Sequence, residues 1–69
     1  MRNNVFGKRL KELRVGSGLS QQKLGEILGF SNQTVSFWES GHREPDLDTL
    51  LSIAHYFEVP LEELLEETL

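Results

Sequence analysis

Cysteine is absent from this 69-residue chain, so neither a disulfide nor a thiolate metal site can help hold it together. Histidine is scarce: His42 and His55 stand thirteen positions apart, a spacing that suits no metal site. No metal and no cofactor is expected. No apolar run approaches the roughly 18 residues of a membrane span, and the opening MRNNVFGKRL has basic residues without the apolar stretch of a secretory signal. Strand-like alternation, internal repeats and a composition shift that would mark a linker are missing as well. There is no nucleophile–base pair, metal cluster or GxxxxGK phosphate loop, so an enzyme is not expected. What remains is one small all-α domain over residues 1–69, close to the size below which a core needs outside help. Helices packed on helices must stabilise it, and a reducing cytoplasm is the expected setting.

What is present reads as five helical segments. The first, from about Asn4 to Val15, sets Phe6, Leu10 and Leu13 in one apolar stripe and ends at Gly16-Ser17-Gly18. Ser20 caps a second helix whose buried face is Leu24, Ile27 and Leu28, with Gly29 closing it. Lys23 stands where a capping box would place Glu or Gln. Gly25, inside that helix, costs about 1 kcal/mol relative to alanine, which a close approach by the next helix would explain. Ser31 caps a third helix that ends at Gly41. Asp46, after Pro45, caps a fourth, in which Leu47, Leu50, Leu51, Ile53, Ala54 and Phe57 are too dense for a surface helix. That helix is expected to cross the centre of the core. Pro60 opens the fifth, LEELLEETL, with Glu62 and Glu63 at the positive end of its dipole.

The stretch Leu19–Gly41, LSQQKLGEILGFSNQTVSFWESG, is thus two short helices joined by a tight turn centred on Gly29. This is the layout of a helix-turn-helix, whose second helix can enter the DNA major groove. At about 100° per residue, Val35 and Trp38 define the inward side of that second helix, with Ser31 close by. Gln33, Ser36, Phe37 and Ser40 fall about 100° or more from Val35 and point outward, and Asn32 lies near the exposed start. The amide of Gln33 or Asn32 can pair bidentately with adenine, a match worth about 1–3 kcal/mol of discrimination. Ser36 adapts to donor or acceptor, and Phe37 is able to press on a thymine methyl. Taken singly, each is an ordinary solvated side chain. An outward Phe beside Gln and Ser on so small a domain points to contact, with DNA or with another protein.

Glu39 falls only about 40° from Val35, nearer the core than solvent. A carboxylate there needs a partner or its burial is costly. Arg14, at the end of the first helix, is the best candidate, so an Arg14–Glu39 ion pair is expected to brace the third helix. Its role is structural and not catalytic.

The net charge of −4 taken alone argues against a nucleic-acid partner, but its distribution reverses that. Residues 1–43 hold all seven Lys and Arg against three acids, for +4, while residues 44–69 hold eight acids and no Lys or Arg, for −8. Charges beyond a Debye length of roughly 8–10 Å are screened, so a basic front with an acidic back is compatible with groove binding. The acidic half also fits a simple solvated face.

Together, LKELR (10–14), GLSQQKLGEILG (18–29), SNQTVSFWESG (31–41), Pro45, DTLLSIAHYF (48–57) and VPLEELL (59–65) resemble the lambda-repressor-like, Cro/Xre-type helix-turn-helix family over nearly the whole chain. The resemblance implies a compact five-helix domain in which helices 2 and 3 form the helix-turn-helix. It also implies sequence-specific DNA binding by a two-fold dimer that regulates transcription. In that family the position of Gln21 contacts backbone phosphate, those of Asn32, Gln33 and Phe37 face bases, and those of Ser40, His42 and Arg43 lie close to phosphate. Gly25 replaces a frequent alanine, and Phe37 replaces what is commonly a polar or basic reader.

The resulting expectation is a sequence-specific transcriptional regulator of repressor type, a homodimer on a two-fold operator in double-stranded DNA. Backbone N–H groups at the start of the second helix, with Gln21, Arg9, Lys23 and Arg43, engage phosphates, while Asn32, Gln33, Ser36 and Phe37 read bases. Two copies on half-sites about 34 Å apart are expected. They would meet through Val59, Pro60, Leu61, Leu65 and Leu69, although Leu61 and Leu65 fit a core equally well. The alternative is a protein-binding adaptor on the same fold, an antitoxin-like or anti-repressor module. Its protein partner would be met through the acidic C-terminal half and Phe37.

Overall fold

Cap chemistry decides where the helices of this chain begin. The computed structural model describes residues 5–66 and holds five helices: α1 (Val5–Gly16), α2 (Gln21–Leu28), α3 (Asn32–Ser40), α4 (Leu47–Phe57) and α5 (Leu61–Leu65). Ser20, Ser31 and Asp46 keep an extended backbone and accept, through a side-chain oxygen, the N–H groups of Lys23, Thr34 and Thr49. Each satisfies one of the donors that a helix start leaves without a partner. Gly29 ends α2 in the left-handed region at φ 86°, turning the chain sharply into α3. α4 ends without a glycine, and Glu58 takes φ 58° in its place.

Among the described residues, the largest fully buried side chains are Leu10, Leu24, Val35, Ile53 and Leu64, one from each helix. Around this point pack Phe6, Trp38, Leu50 and Ala54, with Leu13, Leu19, Leu28, Phe57, Val59, Leu61 and Leu65 partly buried against them. α1 lies against α3 and α5, α2 against α3 and α4, and α4 also against α5. α3 is therefore held from two directions, by α1 and by α2.

Three details of the core differ from the sequence reading. α4 is buried on one side only: Leu50, Ile53 and Ala54 are buried, while Leu47 and Leu51 are 62% and 48% exposed. The described helices leave the second side of α4 uncovered, so these leucines meet solvent. Ile27 is likewise exposed, and the inner face of α2 is Leu24 and Leu28. In the region expected to pair two copies, Val59, Leu61 and Leu65 are partly taken into the chain's own core, Pro60 is exposed, and Leu69 lies outside the described residues.

Gly25 is explained by backbone, not by a neighbouring side chain. Its carbonyl accepts from the N–H groups of Gly29 and Phe30 at 2.8 and 2.7 Å, which draws the turn close. A Cβ at residue 25 would stand 2.5 Å from the Phe30 carbonyl oxygen and 3.1 Å from the Ser31 carbonyl carbon and oxygen. The approach is thus made by the turn that leads into α3, rather than by α3 itself.

Two predictions follow from this geometry. Gly25→Ala gains about 1 kcal/mol of helix propensity but displaces the turn, so urea denaturation should register a net loss of up to about 2 kcal/mol. The Asp46 carboxyl is held below the ordinary aspartate value of 3.8, first by the Thr49 hydroxyl and then by the Thr49 N–H. A carboxyl lowered in the folded state stabilises the fold above its unfolded value, and that contribution is lost as pH falls through the folded value. Asp46→Asn keeps an acceptor at every pH, so its melting temperature should fall less steeply than wild type once the pH drops below 3.8.

Candidate nucleic-acid interface

The inner side of α3 is fixed by a charged network at its C-terminal end. Arg14 Nε donates to Glu39 Oε2 at 2.6 Å and Nη2 to Oε1 at 3.1 Å, while Nη1 donates to the Leu19 carbonyl at 2.8 Å. Gln21 Nε2 adds a further bond to Glu39 Oε1 at 3.1 Å. The Arg14 and Glu39 side chains are 11% and 5% exposed. An ionised carboxylate only accepts, and the planar guanidinium matches it with two parallel donors, so the pair is both geometrically defined and fully hydrogen-bonded. Through it the end of α1, the start of α2 and the last turn of α3 are joined. The Gln21 bond runs between separate elements, and no helical spacing would have shown it.

On the outer side of α3, Asn32 and Gln33 are exposed at the helix start, Ser36 and Phe37 are half-buried, and Ser40 is exposed. Val35 and Trp38 face inward, with the Phe30 ring edge-on to Trp38 at 4.9 Å. Phe37 is less bare than the helical wheel suggests. The Arg43 guanidinium carbon stands 5.1 Å from the centre of its ring, and the His42 ring lies 6.1 Å away. Gly41, at φ 84°, folds the chain back over the last turn of α3. The Phe37 carbonyl then accepts from the N–H groups of His42 and Arg43 and from the Ser40 hydroxyl. Ser40 Oγ also lies 2.6 Å from His42 Nδ1.

Ser40, His42 and Arg43 are therefore gathered beside Phe37, next to the row Asn32, Gln33, Ser36. Lys23 pairs with Glu26 at 3.8 Å and Arg9 with Glu12 at 3.5 Å, both exposed contacts of small energetic weight. Arg9 lines a shallow cleft with Glu12, Leu13 and Glu63. No helix among the described residues is long and apolar enough to cross a membrane.

A buried brace on one side of α3 and a polar row on the other is the arrangement of a helix-turn-helix, and the comparisons agree. The helix-turn-helix family model matches residues 10–64, and the chain belongs to the lambda-repressor-like branch of that family. It is similar to the HTH-type transcriptional activator BcrR of Enterococcus faecalis, 40% identical over 60 residues that cover 87% of this chain and 29% of that protein. It is also similar to the SPbeta prophage-derived uncharacterized HTH-type transcriptional regulator YonR of Bacillus subtilis, at 39% identity over 93% of this chain and 59% of that protein. The chain thus spans from under a third to about three-fifths of these relatives. Among solved structures, the P22 c2 repressor in complex with a synthetic operator superposes with a TM-score of 0.84 and 28% identity, over 93% of this chain and 97% of that one.

The network makes a direct prediction. Arg14→Met leaves Glu39 buried without its main partner, and equilibrium unfolding should show a loss of about 3–5 kcal/mol. An unchanged melting temperature would mean that the pair carries no weight in the fold.

Proposed function

We propose that this domain binds double-stranded DNA at chosen sequences and serves a transcriptional regulator of repressor type. The observation that carries this reading is the outward row of exposed Asn32 and Gln33 and half-buried Ser36 on α3, set beside Ser40, His42 and Arg43 and backed by the Glu39 brace. In the major groove the amides of Asn32 and Gln33 would meet adenine edges, and Ser36 either a donor or an acceptor, with Phe37 beside them. Arg43, Ser40 and His42 would reach phosphates at one end of the row, and Gln21, Lys23 and the N–H groups of the α2 start at another, with Arg9 as an outlying contact. On this reading the activity is binding and its setting is the cytoplasm.

One copy spans few base pairs. Two copies related by a two-fold axis, on half-sites about 34 Å apart, supply the affinity. The turn from α4 to α5 offers them Pro60 and the uncovered parts of Val59, Leu61 and Leu65. Occlusion of a promoter then gives repression. A second reading, docking of a protein, is favoured by Leu47 and Leu51, exposed on α4 within the acidic half of the chain.

Selection from a random duplex pool separates the two. On the DNA reading a two-fold sequence is enriched, and log affinity falls linearly with log salt at about −0.9 per phosphate neutralised. Gln33→Ala should then cost about 1–3 kcal/mol at a single base step and leave the others unchanged. A pool with no enrichment would transfer the case to protein docking.

A further inference from the structure

We propose that Phe37 is a positioning residue whose ring holds the Arg43 guanidinium ready for a DNA phosphate, an assignment that rests on duplex binding by α3. The guanidinium carbon lies 5.1 Å from the ring centre, inside the ~6 Å reach of a cation–π contact. Arg9, Arg14 and Lys23 each face a carboxylate, whereas Arg43 lies over this ring. Stacking on a ring face engages none of the five N–H donors, so they stay available to an anion. Arginine has much rotamer freedom to lose, and a side chain ordered before contact loses less on binding. The ring is half-buried and has the His42 imidazole 6.1 Å away, so it is not a free apolar tip in search of a thymine methyl.

The backbone allows the ring to be tested by itself. His42 and Arg43 are tied to α3 through their N–H groups and the Phe37 carbonyl, at 2.9 and 3.3 Å, and Ser40 Oγ donates to the same oxygen at 3.2 Å. A change of the residue-37 side chain removes the stack and keeps these bonds.

The test compares wild type, Phe37→Leu, Arg43→Met, the double variant and Phe37→Trp, on a duplex enriched from a random pool and on a random-sequence duplex. Phe37→Leu should weaken binding to both about two- to fivefold, the factor that an exposed cation–π contact is worth. Although no charge is lost, its log–log salt slope should flatten by part of the roughly 0.9 that one phosphate contributes. With Arg43 already replaced by Met, the same change should add nothing, and Phe37→Trp, which keeps a ring face, should restore the slope. Should Phe37→Leu melt below the assay temperature, Phe37→Met takes its place. An equal loss with and without Arg43, at an unchanged slope and confined to one A·T pair, would overturn the assignment in favour of a base reader. A second measurement needs no DNA: ring current should displace the Arg43 δ-proton resonances in wild type and Phe37→Trp but not in Phe37→Leu. Undisplaced protons in a protein that binds duplex normally would sink the positioning role alone. Displaced protons in a protein that binds neither duplex would sink the DNA reading, and the phosphate role with it.

Discussion

Glu39 brings a carboxylate that is 5% exposed to a point where three helices meet, and it accepts there from two atoms of Arg14 and one of Gln21. An apolar seat alone leaves a helix free to roll, since methyl and ring contacts have little directional preference. Side-chain tips on a helix lie about 5–6 Å from its axis, so a roll of about 20° would move the Gln33 amide by about 2 Å. Recognition of a base edge tolerates about 0.5 Å. Val35 and Trp38 bury α3, but the bidentate guanidinium sets its rotation. Because Arg14 also holds the Leu19 carbonyl, the same interaction aligns the start of α2 with the face of α3.

Economy of the core explains how so short a chain keeps that face polar. Each helix gives one fully buried side chain to the shared core. The turn between α2 and α3 is tight because Gly25 lets the Phe30–Ser31 backbone come close, and Gly29 supplies the reversal. These two glycines substitute for length: they bring the helices into contact where a longer protein would use a larger hydrophobic interface. On α4 the described helices leave Leu47 and Leu51 exposed.

Features set by local chemistry were legible in the residues. Ser20, Ser31 and Asp46 mark helix starts because capping involves only the next three N–H groups. Glu39 was readable because a carboxylate on an inward helical position calls for a cation, and Arg14 ends the neighbouring helix. α4 misled because apolar density records what a helix offers, not whether another layer exists to cover it. Leu61, Leu64 and Leu65 repeat at helical spacing, but the glutamates around them give the segment the pattern of a solvated end, which hides the burial of Leu64. The row on α3 followed from angle alone, but the half-burial of Phe37 did not. It depends on the chain doubling back after Gly41, and six residues across a left-handed turn have no sequence periodicity to betray their contact.

The division of charge bears on how such a face would discriminate. Arg43 sits beside the outward row, and Lys23 and Arg9 are each partnered by a glutamate on their own helix. Beyond residue 43 every charged side chain is acidic. Attraction to phosphate is indifferent to sequence and raises specific and non-specific binding alike, whereas hydrogen bonds to base edges raise only the specific one. On the proposed DNA reading, few cations at the duplex and an acidic rear would lower uniform affinity, and the uncharged amides and hydroxyl of Asn32, Gln33 and Ser36 would decide where the domain stays. Under that division each remaining phosphate contact matters more, and holding Arg43 in place before the encounter is worth more than adding another mobile lysine.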